Sequence, residues 1–215
     1  INSTFETNIA TVAGGAVYSD RSSKTTISNS TFIDNYAPLG GAIYALKDLT
    51  VKDGSVFEDN DAVGGGAIYI AAKYGDANLV VADSTFEDNF VTEAGGAILI
   101  DATFDHKVYY DISNSVFEEN VAQSLNDGAT VAGGAIYMEG AASGTIANSE
   151  FTENMALGPA NGYSNGGAIK VQFGAVANIV SSNFTDNGAS YTGGAIDVQA
   201  KSGADCAVAI YDSNF

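Results

Sequence analysis

Residues 112–120 read Ile-Ser-Asn-Ser-Val-Phe-Glu-Glu-Asn and residues 133–138 read Gly-Gly-Ala-Ile-Tyr-Met, and these two phrases alternate along the whole chain. The first recurs as Phe-x-x-Asn at Phe5/Asn8, Phe32/Asn35, Phe57/Asn60, Phe86/Asn89, Phe117/Asn120, Phe151/Asn154 and Phe184/Asn187, and Phe215 begins an eighth copy. Successive phenylalanines are 27, 25, 29, 31, 34, 33 and 31 residues apart. Between them stands Gly-Gly-Ala followed by Ile or Val, opened by Gly14, Gly40 and Gly41, Gly65, Gly95 and Gly96, Gly133 and Gly134, Gly166 and Gly193. Two positions before each of these eight phenylalanines is a serine, from Ser3 and Ser30 to Ser182 and Ser213. Five before it is Ile or Val, except at Lys52, where Val51 has slipped by one. A repeat of this length in strict register is the sequence signature of a solenoid.

Each copy reads as three short extended pieces. Apolar residues alternate with period two, as in Ile68 and Ile70 or Leu79 and Val81, and no stretch carries a helical stripe. Asn-Ser or Asp-Ser, the Asn after Phe, and Gly-Gly punctuate the pieces as turns. Units of about 30 residues that stack one strand spacing apart supply each other's hydrogen bonds, which predicts an all-β, right-handed parallel β-helix. About seven coils with three short strands each would form a single domain over residues 1–215, read as a piece of a longer repeat protein. Phe to the next Gly-Gly takes 8 or 9 residues in five copies but 16 after Phe117 and 15 after Phe151. The extra residues, Ser124 to Thr130 and Gly158 to Asn165, predict two adjacent solvent-facing loops that form a local lip.

The repeated positions carry distinct roles. The Phe column points inward, where each ring contributes on the order of 2–3 kcal/mol and neighbouring rings can pile along the axis. The Asn column, from Asn8 to Asn187, sits at a turn that wants left-handed backbone, its amides bonding from coil to coil. Gly-Gly-Ala supplies a corner too tight for side chains. Asp34, Asp59, Asp88, Glu119, Glu153 and Asp186 form an acidic column, at about 0.9 kcal/mol of repulsion per neighbouring pair in water. Solvation accounts for it, and weak Ca²⁺ sites on Asp34, Asp59 and Asp88 are the sharper expectation. No other cofactor is implied. Tyr18, Tyr44, Tyr69 and Tyr137 follow the Gly-Gly-Ala corner on an outward strand, interrupted by Leu99 and ended by Lys170 and Asp197. They read as a partial platform for stacking sugar rings or docking a protein, or as cross-strand packing.

Composition removes several functions. Twenty-six acidic against 8 basic side chains give a formal net charge of −18, unsuited to a phosphate backbone or an anionic bilayer surface. No apolar run is long enough for a transmembrane helix, so direct membrane insertion is not expected. A lone Cys206 excludes an internal disulfide framework, and His106, the single histidine, has no repeat-positioned Ser or Cys beside it. Carboxylates abound but recur periodically instead of converging. No catalytic residue is assigned.

With Gly-Gly-Ala-Ile/Val and Phe-x-x-Asn alternating from Ile1 to Phe215, the chain resembles the passenger region of the chlamydial polymorphic outer-membrane proteins. It resembles equally the adhesin-like surface proteins of other bacteria and of methanogenic archaea that share these repeats. The resemblance implies a right-handed parallel β-helix exported to the cell surface, where it attaches to a surface protein or glycan of a host or neighbouring cell. It also implicates the two motifs themselves, Phe32 to Asn35 and Gly40 to Ile43 and their equivalents. A non-enzymatic adhesin is the leading expectation. A polysaccharide lyase or hydrolase like the pectin-degrading β-helices, for which the sole Arg21 is a poor endowment, and a passive stalk are the alternatives. Open coil ends add an expectation of end-to-end self-association.

Overall fold

A computed structural model describes residues 1–200 and 204–215. Its architecture follows from single residues that reverse the sign of φ. Except at Ser55, the residue before each motif serine (Asn29, Asp83, Asn114 and Asn148 among them) has φ between +46° and +52°. The residue before each motif asparagine (Asp34, Asp59, Asp88, Glu119, Glu153, Asp186) has φ between +52° and +55°. The first glycine of each pair has φ between +62° and +69°. One left-handed residue between extended pieces is enough to bend a strand sharply, and three such bends recur at the same height in every coil. The left-handed residue at the second bend is thus the acidic one, not the asparagine, which the bend instead turns into the interior. The fourth corner, between the Gly-Gly-Ala strand and the next, is a loop of variable length such as 46–48 or 103–107. Much of the spread in repeat length resides there, in addition to the two inserts.

Among the described residues the coils stack into four seven-stranded parallel sheets. The three expected strands of each coil are typified by Thr85–Glu87, which carries Phe86; Ile98–Ala102, after the glycines; and Val108–Ser113, which precedes the next serine. A fourth, shorter ladder lies between the Asn turn and the glycines. There, Phe90–Ala94 pairs on one side with Asp61–Gly64, and on the other with both Val121–Gln123 and Thr130–Ala132. The insert of coil five splits one strand into two, and coil six repeats the split with Met155–Leu157 and Tyr163–Asn165. The excursions are therefore 124–129 and 158–162. Thr130 and Asn165, expected as the last residues of these loops, are in the ladder.

Register is maintained by the interior. The phenylalanines pair Phe5↔Phe32↔Phe57↔Phe86↔Phe117↔Phe151↔Phe184, with ring centroids 4.6–4.9 Å apart and planes within 7° of parallel. Val51 pairs with Ile27 and Val81 despite its slip, because Asp53 and Gly54 make a two-residue corner where other coils use one.

The asparagines form a continuous amide ladder. Nδ2 of Asn60 donates to Oδ1 of Asn89 at 2.9 Å and to the Phe32 carbonyl at 3.1 Å, while the Asn60 backbone N–H also donates to Asn89 Oδ1 at 3.1 Å. The same set recurs at Asn35, Asn89, Asn120 and Asn154, all fully buried. Every internal amide is thereby satisfied in a place where an unpaired one would be costly.

Asn187 joins the same column. Its Oδ1 accepts from the Asn154 backbone N–H and Nδ2 at 3.0 and 2.9 Å, and its own Nδ2 donates to the Phe151 carbonyl at 2.9 Å. Asn8 and Asn187 are half-buried, and the five asparagines between them are interior. The second glycine of each pair stacks backbone on backbone: a Cβ on Gly96 would fall inside the carbonyl oxygen of Gly134.

Candidate functional site

The strand after each Gly-Gly-Ala corner points every second residue away from the core. Register aligns Tyr18, Tyr44, Tyr69, Leu99, Tyr137, Lys170 and Asp197 in one outward column. Two residues further on, Ala71, Asp101, Glu139, Gln172 and Gln199 form a second. The tyrosines are not the open platform that alternation alone suggests: Tyr18 is 55% exposed, but Tyr44 and Tyr137 are only 4% and 8%. Residues that immediately precede the glycines fold across them. Leu39 and Ala13 pack on Tyr44 with Leu46, and Ala94 and Ala132 pack on Tyr137 with Leu99.

The covered hydroxyls are fully engaged. Tyr69 donates to Asp101 and Tyr137 to Glu139, each at 2.7 Å. Burial first, and then the neighbouring carboxylate, pushes both phenols well above the ordinary tyrosine range. Lys73 lies 5.7 and 5.9 Å above the rings of Tyr44 and Tyr69, so this end of the column is closed by a cation.

From coil six onward the cover changes. The residue before the glycines changes from Ala94 and Ala132 to Asn165 and Thr192, and the strands returning from the inserts stand as a wall. The inserts brace each other, Ser124 N–H donating to the Leu157 carbonyl and Tyr163 N–H to that of Ala129, both at 3.1 Å. Between wall and column run two cavities of about 740 and 400 Å³ that share Thr130, Asn165, Gln172 and Gln199, and so make one groove along the solenoid axis. The larger falls within the usual size of a small-molecule site.

Gln172 donates to the Tyr137 hydroxyl on the groove floor. Lys170, 1% exposed, donates to Asp197 and to Gln199 Oε1, the latter at 3.1 Å. The Thr192 hydroxyl lies 2.7 Å from both Asn165 Oδ1 and Asp197 Oδ2. On the rim, the rings of Tyr163 and Tyr191 meet edge to face at 5.1 Å, 54% and 61% exposed. Thus Tyr137 is the one member of the expected tyrosine set that lines the groove, while Tyr18, Tyr44 and Tyr69 lie further down the column. Asn165, Gln172, Gln199, Tyr163 and Tyr191 escaped the motif reading because none is a repeat position with its usual residue. The available signals were the neighbouring inserts and the change from Tyr to Lys170 and Asp197.

The remaining expected sites lie elsewhere. Arg21 stacks 5.5 Å above Tyr74, and the His106 backbone N–H donates to Thr103 Oγ1 in a far corner loop. Asp34, Asp59 and Asp88 project from successive bends into solvent. Partial burial and then the charges of Asp88 and Asp34 raise the Asp59 carboxyl. The charges of Asp88 and Glu153 do the same to Glu119. Among the described residues no three His, Cys, Asp or Glu side chains converge to hold a metal ion. No helix among them is long and apolar enough to cross a membrane.

The Chlamydia polymorphic membrane protein repeat matches residues 2–20, 29–46 and 83–101. Each match runs from the left-handed residue before serine, through the Phe strand, the Asn turn and the glycine corner, to the outward column. No curated protein and no solved structure matches the chain. The other four coils hold the same two motifs in the same register. Three of the seven coils thus match that repeat, and the chain as described is a β-solenoid.

Proposed function

We propose that the chain is a non-enzymatic attachment module, displayed outside the cell at its surface, that contacts a protein or glycan of a host or neighbouring cell. The name of the matching repeat supports a membrane-surface setting. The observation that carries the rest is that the solenoid departs from its own repeat chiefly at one place, where two inserts and an altered outward column open a groove. A stalk without recognition has no use for such a break, and the −18 charge keeps the exposed faces soluble and apart from other anionic surfaces.

The lyase reading has less support. A base for proton abstraction must be free to accept a proton, whereas Lys170, the cation against the groove, is buried and held by Asp197. Binding of the purified chain to cultured cells, beside a version with 124–129 and 158–162 replaced by the short connection of coil four, tests the proposal. Attachment by the parent and its loss in the shortened chain, with an unchanged β-sheet circular dichroism spectrum, is the expected outcome. Equal attachment would move recognition off the groove, and no attachment by either would leave a spacer. Unsaturated products from polygalacturonate would overturn the non-enzymatic assignment.

A further inference from the structure

We propose that the groove over coils five to seven binds a neutral oligosaccharide, an assignment that rests on the attachment reading and narrows it to one ligand class. Gln172 and Gln199 are each pinned at one end of the amide. The Tyr137 hydroxyl gives its proton to Glu139 and therefore accepts from Gln172 Nε2, which leaves Gln172 Oε1 as an open acceptor. Lys170 can only donate, so it fixes Gln199 Oε1 inward and turns Gln199 Nε2 outward as a donor. Both glutamines line both cavities, so a fixed acceptor and a fixed donor stand one coil apart on the groove floor. Amides held in advance of binding lose little entropy on meeting a ligand, and vicinal hydroxyls answer an alternating donor and acceptor. On the rim, the perpendicular rings of Tyr163 and Tyr191 offer apolar faces to the C–H side of a sugar.

Charge selects within the sugars and against peptides. Lys170 neutralises Asp197, so the floor has no open cation for a uronate or sulfate, and the chain as a whole repels both. The same pairing withdraws the carboxylate that a basic peptide would seek, leaving Glu93 at the far end of the smaller cavity.

Isothermal titration of the whole chain with cellotetraose, mannotetraose and tetra-N-acetylchitotetraose, with tetragalacturonate and tetralysine as charged counterparts, tests the assignment. At least one neutral tetraose should bind, and Tyr163→Ala combined with Tyr191→Ala should weaken it by about tenfold. Because both rings are mostly exposed, their removal should leave the melting temperature within about 2 °C of the parent. Tyr109→Ala, an exposed tyrosine on another sheet, should bind normally. The assignment falls if no neutral tetraose binds up to about 10 mM. It falls equally if the double variant binds as the parent does, or if tetralysine or tetragalacturonate binds more tightly. Cell attachment that persists without tetraose binding would overturn the sugar assignment while sparing the attachment reading; loss of cell attachment alone would do the reverse.

Discussion

Asn120 is the most informative residue to remove. Its Oδ1 accepts from the backbone N–H and Nδ2 of Asn89, at 3.2 and 2.9 Å, and its Nδ2 donates to the Phe86 carbonyl and to Asn154 Oδ1, at 2.9 and 3.0 Å. In Asn120→Ala the Asn89 N–H loses the partner it has in the side-chain ladder. Asn89 Nδ2 retains the Phe57 carbonyl and Asn154 Oδ1 retains the Asn120 N–H, so each keeps one bond of two. One buried orphan and three weakened groups together cost about 3–6 kcal/mol. For a chain of this length that lowers the melting temperature by about 10–20 °C.

Asn8, in the first coil, only donates, to Asn35 Oδ1. Asn8→Ala should therefore cost about 1 kcal/mol, or a few degrees. Asn120→Asp refines the test: the acceptor survives, but a carboxylate now faces the Asn154 and Phe86 oxygens. Burial raises its pKa, and protonation restores a donor, so its deficit should narrow as pH falls from 7 to about 4. Melting followed by far-ultraviolet circular dichroism, with hydrogen exchange of the Asn89 amide, decides. If Asn120→Ala melts within about 3 °C of the parent, or no lower than Asn8→Ala, the amide ladder does not hold the coils together.

Gly96→Ala should fail to fold, since its Cβ would invade the Gly134 carbonyl, whereas Gly128→Ala, with open space around it and φ of +76°, should lose only about 1 kcal/mol; soluble yield and melting separate them. Phe117→Ala should cost about 3–5 kcal/mol against well under half of that for Phe215→Ala, whose ring is 64% exposed, measured by the same melts. The carboxyls of Asp59, Asp61 and Glu87, raised by burial, and of Glu119, raised by its neighbours' charges, hold protons more readily in the solenoid than in the unfolded chain. Their ionisation therefore opposes folding, and the melting temperature should rise as pH falls from 7 to about 5. Asp48, whose desolvation is outweighed by Lys24 and Asn78, and Asp53, lowered by Ser28 and Lys52, act oppositely, their contribution being lost as pH falls below the ordinary carboxylate range. At pH 7, CaCl₂ and NaCl of equal ionic strength should raise the melting temperature alike; a larger rise with CaCl₂ would establish divalent sites on the Asp34, Asp59 and Asp88 column.

The stacked interior was legible because a solenoid repeats its constraints. Phe86 meets the same ring above and below, and so do Asn89 and Gly96, so the periodic positions declare themselves by recurrence. What lies outside the coil is not periodic at all. Alternation places Tyr44 and Tyr137 on the outer face of a strand, but their burial depends on Leu39, Ala94 and Ala132 at the far side of the glycine corner, a contact that no period encodes. The left-handed residue is hidden for a related reason: Asp59 and Glu119 read as a charge column in the sequence, and their positive φ is visible only in the backbone. The groove was half visible, since the inserts were counted, while the return of Thr130–Ala132 and Tyr163–Asn165 to the ladder needed the pairing itself.

Folding and recognition fall on different residues of each coil. An interior Asn must donate to the coil after it and accept from the coil before it, and an interior Gly must admit a carbonyl where a Cβ would stand. Neither position is free to adapt to a ligand without breaking the stack, so a loss of attachment on mutating Phe32 to Asn35 or Gly40 to Ile43 reports the loss of a coil as readily as the loss of a contact. The outward column is under no such demand, and it is there that the chain changes chemistry from Tyr69 through Leu99 and Tyr137 to Lys170 and Asp197 without a shift in register. Variation that leaves the ladder intact is what a recognition surface requires. Substitutions confined to that face and its rim, Tyr163 and Tyr191 first, separate binding from folding where substitutions in the motifs cannot.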